Sequence, residues 1–82
     1  KIDTLDNTIM EVLTNRMKII EEIGTYKKQN NITILQPDRW EKILTRVLEE
    51  ARKNNLSEEL IERVFKAIHQ ASIDRQTDIM NE

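Results

Sequence analysis

The sequence has no cysteine, one glycine, one proline and only three aromatic residues among its 82 residues. Without cysteine, neither a disulfide framework nor a thiolate site can form. A single histidine with no cysteine falls short of the ligand set of a structural zinc site. The scarcity of glycine and proline, together with 34% charged residues, favours helices over sheets or long loops.

Charge and hydropathy argue against several classes of partner and location. The net charge is −2 and both signs are interspersed, so no basic face for nucleic acid is predicted. No apolar run approaches the roughly 20 residues that span a bilayer, and no secretory signal pattern is visible. We therefore expect a cytoplasmic protein. Because the chain starts at Lys1, already within a helical pattern, we also expect it to be part of a longer protein.

The first predicted helix, residues 2–31, carries a heptad seam in which core-type positions alternate three and four apart. The seam consists of Ile2, Leu5, Ile9, Val12, Arg16, Ile19, Ile23 and Tyr26. A helix of this length extends about 45 Å. Two shorter helices cannot cover it, so we predict that a second copy of the chain does, in a homodimer.

Two shorter helices are predicted at 37–54 and 57–81, which makes residues 1–82 a single all-α domain. Pro37 suits the first turn of the second helix and Ser57 suits the N-cap of the third. Each helix has one stripe at helical spacing. The second stripe is Trp40, Ile43, Leu44, Val47, Leu48 and Ala51; the third is Ile61, Phe65, Ile68, Ser72, Gln76 and Ile79.

Polar residues interrupt these patterns on all three helices. Arg16 occupies the seam of the first helix, and Lys27 follows it by eleven residues on nearly the same face. Arg39 stands beside the start of the second stripe, while Ser72 and Gln76 lie within the third. Three cations and two neutral hydrogen-bonding groups are thus predicted to face a mostly apolar interior with no carboxylate placed to neutralise them.

Each of these polar residues also has a purely structural interpretation. Arg16 fits a polar residue that sets the seam register or extends to solvent, and Lys27 fits a solvated charge near a helix end. Ser72 and Gln76 fit small polar groups on a loosely buried face. Their coincidence on three helices favours a pocket for a small anion with two carboxylates, or with one carboxylate and other oxygens.

The sequence shows no Ser-His-Asp set, glycine-rich phosphate loop, metal cluster or paired inward carboxylates. His69 borders the third stripe and is interpreted as a partly exposed structural histidine. A pocket with cations and amides but no nucleophile suits binding, or a reaction that needs only positioning and electrostatic stabilisation.

Several segments in order, covering essentially the whole chain, resemble the all-helical AroQ class of chorismate mutases. They are "IDTLDNTIMEVLTNRMKIIEEIGTYKK", "QPDRW" and "ASIDRQ". Within them, Arg16 is followed eight residues later by Gly24 and eleven later by Lys27. Arg39 ends a P-x-R motif after the loop.

The resemblance implies an intertwined homodimer with two equivalent active sites. Each would convert chorismate to prephenate, toward phenylalanine and tyrosine, by a unimolecular [3,3] rearrangement without cofactor, metal or covalent intermediate. Chorismate is a dicarboxylate, so its two negative charges would neutralise cations that have no acidic partner in the chain.

The resemblance also assigns roles to individual residues. Lys27 and Gln76 would donate to the ether oxygen of the substrate from two sides, and Arg16 would bind a carboxylate. These three form the predicted catalytic set. Arg39 and Ser72 would help to hold the carboxylates or form the pocket wall.

Two departures from the family pattern concern substrate binding. Gln36 and Trp40 stand where relatives often carry acids that contact the substrate hydroxyl. Gln36 can still bond a hydroxyl, but the Trp40 side chain cannot accept from one. A further family arginine, donated across the dimer, aligns just before Lys1.

Two alternatives stay open at this point. One is an isochorismate pyruvate-lyase of the same fold. The other is a non-catalytic helical dimerisation or regulatory module of a larger enzyme. AroQ-like chains are commonly fused to another enzyme of aromatic biosynthesis, and we expect any such fused domain to lie N-terminal to this chain.

Overall fold

A computed structural model describes residues 1–82 as three helices and no strand. They are α1 (Ile2–Gln29), α2 (Pro37–Lys53) and α3 (Glu58–Met80). The all-α prediction is confirmed, and each predicted helix boundary lies within two residues of the observed one. No helix combines the length and apolar character that a membrane crossing requires.

Local chemistry explains where the helices stop and start. Asn30 ends α1, and Asn31 follows in the left-handed region with φ of 55°, a conformation that asparagine tolerates better than most residues. The Ser57 hydroxyl accepts a hydrogen bond from the Leu60 N–H at 3.1 Å, which confirms the predicted N-cap of α3. Pro37 opens α2 as expected.

The three helices lie in one layer. α3 packs against both α1 and α2, which do not pack against each other. The chain measures 41 × 29 × 14 Å, so it is much thinner in one direction than in the other two. A single layer cannot enclose much of a core, and only six residues are buried: Gly24, Val47, Ala51, Ser72, Gln76 and Ile79.

The predicted stripes differ in how the single chain covers them. Every member of the second and third stripes is buried or half-buried, as predicted. The α1 seam, in contrast, is exposed throughout: Ile2 is 73% exposed, Ile9 56% and Tyr26 60%. No other part of the chain covers this seam, so the homodimer stays a prediction.

Candidate active site

All six residues predicted to bind or convert a substrate line one cavity of about 490 Å³ on the face of the helix layer. This volume is typical of small-molecule sites. The polar lining comes from α1 (Arg16, Lys27), the α1–α2 loop (Gln36), α2 (Arg39) and α3 (Ser72, Gln76). The apolar walls include Ile19, Ile23, Ile43, Phe65 and Ile68.

The cavity contains three cations and no carboxylate. Arg16, Lys27 and Arg39 form no ion pair, whereas Arg75, outside the cavity, pairs with Glu21 at 3.1 Å and links α3 to α1. The predicted lack of neutralising acids is therefore confirmed. The prediction that Arg16 and Arg39 face an apolar interior is wrong for the single chain: both are exposed, because a one-layer fold provides no interior for them.

Lys27 is the most enclosed of the three cations. It is half-buried, and its ammonium Nζ donates to the backbone carbonyl of Ile34 at 3.4 Å. Burial lowers the pKa of Lys27, and the positive charge of Arg39 lowers it further. The ammonium thus lies in a position where an anion would be strongly favoured.

Gln76 supplies a buried amide at the cavity wall. The residue is 5% exposed, and its Oε1 atom is buried with no hydrogen-bond partner in the chain. Its Nε2 atom, in contrast, remains accessible, and it makes no hydrogen bond within the chain. The amide therefore presents a free N–H donor on the accessible side.

Ser72 and Gln36 differ in burial: Ser72 is buried and Gln36 is exposed. Ser72 is 7% exposed and its hydroxyl donates to the Ile68 carbonyl at 2.9 Å, so the oxygen keeps only acceptor capacity for a ligand. Gln36 is exposed and anchors its Nε2 on the Thr33 carbonyl at 3.3 Å. Gln36 therefore belongs to the rim of the cavity.

Gly24 allows α1 to approach α3 next to Gln76. A Cβ atom at this position would lie 3.0 Å from Cδ1 of Ile79 and 3.4 Å from Cα of Gln76. The absence of a side chain thus permits the close helix contact that positions the Gln76 amide.

The sequence interpretation missed one feature of the site. His69 and Trp40 stack face to face across α3 and α2, with ring centroids 4.1 Å apart and an interplanar angle of 11°, and both line the cavity. His69 is therefore part of the candidate site. No spacing rule links two residues on different helices, so the only available signal is that Trp40 begins the second stripe and His69 borders the third.

Comparison with known proteins agrees with this geometry. The sequence pattern of the family described as chorismate mutase type II matches residues 1–77. The chain belongs to the type II chorismate mutase family. One similar protein is the chorismate mutase of Methanocaldococcus jannaschii, 26% identical over 93% of this chain and 79% of its own length.

Other relatives are longer than this type II chorismate mutase chain. A bifunctional chorismate mutase/prephenate dehydratase of Buchnera aphidicola subsp. Schizaphis graminum is 30% identical over 99% of the chain. A T-protein of Enterobacter agglomerans is 26% identical over 95% of the chain. The chain spans about a fifth of the length of these two relatives, 21% in each case.

Proposed function

We propose that this chain is a chorismate mutase, an isomerase that converts chorismate to prephenate. One observation carries the proposal: three cations without carboxylate partners and the unpartnered N–H donor of the Gln76 amide converge on a single cavity. Such a cavity is complementary to a small dianion. Membership of the type II chorismate mutase family supports chorismate as that dianion.

The rearrangement places modest demands on the protein. The ether C–O bond breaks, a C–C bond forms and the double bonds shift, so no proton, electron or atom enters or leaves the substrate. Negative charge develops on the ether oxygen as the C–O bond breaks. Donors aimed at this oxygen stabilise the transition state more than the ground state.

We assign these donors to Lys27 and Gln76. They stand on different helices, α1 and α3, and line the same cavity. Lys27 supplies a partly desolvated ammonium, and Gln76 supplies a neutral N–H donor whose position is fixed by burial. A desolvated donor interacts more strongly with developing charge than the same donor in water.

The remaining polar residues hold the substrate. Arg16 binds one carboxylate, Arg39 helps to fix the carboxylates, and Ser72 forms part of the wall. Gln36 contacts the substrate from the rim. Holding the flexible substrate in its compact reactive form adds an orientation term, for which the apolar walls provide the shape.

We propose that the working unit is a homodimer. The layer is 14 Å thick, and the α1 seam of each copy exposes large apolar side chains along its whole length. Packing a second copy on this seam would remove those side chains from water. The same contact would cover Arg16, which belongs to the seam.

We further propose that residues 1–82 act as one catalytic domain of a longer protein. Similarity to bifunctional relatives, of which the chain spans about a fifth, supports this arrangement. The sequence flanking the chain in its gene tests the proposal directly.

The activity itself is tested by incubating the chain separately with chorismate and with isochorismate. We expect chorismate absorbance to fall while an equal amount of prephenate appears. Release of pyruvate from isochorismate, with chorismate left intact, would identify a lyase instead. A chain that dimerises but converts neither substrate would be a binding or regulatory module.

A further inference from the structure

One polar side chain of the cavity has no task in the mechanism above. His69 lies on α3 one turn before Ser72, is half-buried and lines the cavity. Neither of its ring nitrogens makes a hydrogen bond within the chain, and neither is sealed from solvent. The ring therefore keeps its full hydrogen-bonding capacity for something that enters the cavity.

The stack with Trp40 fixes the plane of this ring. The two centroids are 4.1 Å apart and the rings deviate from parallel by 11°, so one face of the imidazole rests on the indole. A stacked ring has few orientations left, and its nitrogens, at the ring edge, stay free. Trp40 thus acts as a positioning residue for His69.

The cavity is rich in donors and poor in accessible acceptors. Arg16, Lys27 and Arg39 can only donate, and no carboxylate lines the cavity. The Oε1 atom of Gln76 is buried out of reach. Among the accessible groups, a neutral imidazole offers one acceptor nitrogen and one N–H.

Two other side-chain oxygens of the cavity can accept: that of Ser72, which is buried whereas His69 is only half-buried, and that of Gln36. Gln36 is exposed on the rim, and only one local hydrogen bond, 3.3 Å long, to the Thr33 carbonyl restrains it. Ordering an exposed, flexible side chain costs more conformational entropy than using a ring that is already braced. The observations therefore favour His69.

Chorismate carries one polar group that the donors above do not address, the hydroxyl on its ring. We propose that His69, braced by Trp40, accepts a hydrogen bond from this hydroxyl and so sets the orientation of the ring in the site. The inference rests on the proposed function. It predicts that the site distinguishes substrates by the group at the hydroxyl position.

The test compares chorismate with an analogue that lacks the ring hydroxyl, using the folded chain and its variants. His69→Phe keeps a stacked ring of similar shape but removes both nitrogens. We expect it to lower kcat/KM for chorismate about tenfold, the value of one hydrogen bond, and to leave kcat/KM for the analogue nearly unchanged. His69→Gln, which restores an acceptor, should recover part of the loss.

A purely structural role gives a different pattern. In that case His69→Phe would behave like the parent with chorismate, or would lose activity equally with both substrates, and either result overturns the inference. A loss that depends on the hydroxyl in Gln36→Ala but not in His69→Phe would also overturn it. His69→Ala repeats the comparison if the phenylalanine variant does not fold, as judged by circular dichroism.

The parent chain separates this inference from the proposed function. If the parent converts chorismate and the variants show no dependence on the hydroxyl, only the role of His69 is rejected. If the parent does not convert chorismate at all, the proposed function fails, and the role of His69 fails with it.

Discussion

At the scale of single residues, we expect Gln76 to determine how the rate of the proposed reaction responds to acid. Its amide donates without carrying a titratable proton, so this donor is unchanged between about pH 5 and 8. A carboxylate in its place would face the developing negative charge with charge of the same sign.

The Gln76→Glu variant tests this argument. We expect kcat at pH 8 to fall about 100-fold, the cost of losing one such donor. Activity should return as the pH falls and the new carboxyl takes up a proton, because a protonated carboxyl can donate. Measuring kcat between pH 4.5 and 8 for parent and variant checks the prediction. Parallel profiles for the two proteins would argue against a donor role for Gln76.

We expect Lys27 to determine the alkaline limb of the pH–activity profile. Its pKa is lowered from the usual 10.5 by burial and by Arg39, so the ammonium loses its proton earlier than an exposed lysine as the pH rises. We therefore expect kcat/KM to begin to fall, as the pH rises, before pH 10.5 is reached. The limb for kcat should lie at higher pH, since a bound dianion stabilises the ammonium.

Lys27→Arg provides the matched comparison on this limb. Guanidinium stays protonated throughout this range, so the variant should lose the alkaline limb while having lower overall activity from its different shape. Retention of the limb in Lys27→Arg would assign it to another group.

At the scale of the helices, the start of α3 depends on a single side-chain cap. The Ser57 hydroxyl accepts from the Leu60 N–H at 3.1 Å and satisfies one otherwise free donor. We expect Ser57→Ala to lower the free energy of unfolding by about 1 kcal/mol. Ser57→Asp, which also caps, should retain stability. Thermal unfolding by circular dichroism measures both, and equal destabilisation of the two variants would exclude capping as the cause.

Much of this helical architecture could be predicted from spacing alone. Pro37 and Ser57 indicated the helix starts, and the apolar stripes of α2 and α3 indicated the faces that become covered. These features depend on neighbours within the same helix, which sequence displays directly. Polar residues within or beside the helix stripes predict five of the six candidate site residues, and the family resemblance adds Gln36. The structure brings all six into one cavity.

The parts that could not be predicted depend on how helices meet. The stack of Trp40 on His69 requires the relative position of α2 and α3, which no local pattern contains. The exposure of Arg16 and Arg39 follows from the single-layer arrangement. The contact of Gly24 with Ile79 likewise became visible only when α1 was placed on α3.

At the scale of the whole molecule, the thin layer leaves α1 without a partner along its seam. Val12 is 52% exposed at a seam position, whereas Thr14 is exposed on another face of the same helix. If the seam joins two copies, Val12→Glu buries an unpaired charge at the interface. Thr14→Glu places the same charge in solvent.

We therefore expect Val12→Glu to convert the dimer to a monomer and Thr14→Glu to leave it intact. Analytical ultracentrifugation of the parent and both variants measures the mass in solution. A monomeric parent, or a Val12→Glu protein that still forms dimers, would contradict the proposed interface.

The central claim concerns the whole site: a donor from α1 and a donor from α3 together stabilise the charge that develops on the ether oxygen. Its most direct test is kcat for chorismate in the parent, Lys27→Ala, Gln76→Ala and, as a control, Gln70→Ala. Gln70 lies on α3 outside the cavity, where its amide bonds Asp74 at 2.9 Å. We predict losses of about 100-fold or more for Lys27→Ala and Gln76→Ala and parent-like activity for Gln70→Ala. Parent-like kcat in Lys27→Ala or Gln76→Ala would contradict the account.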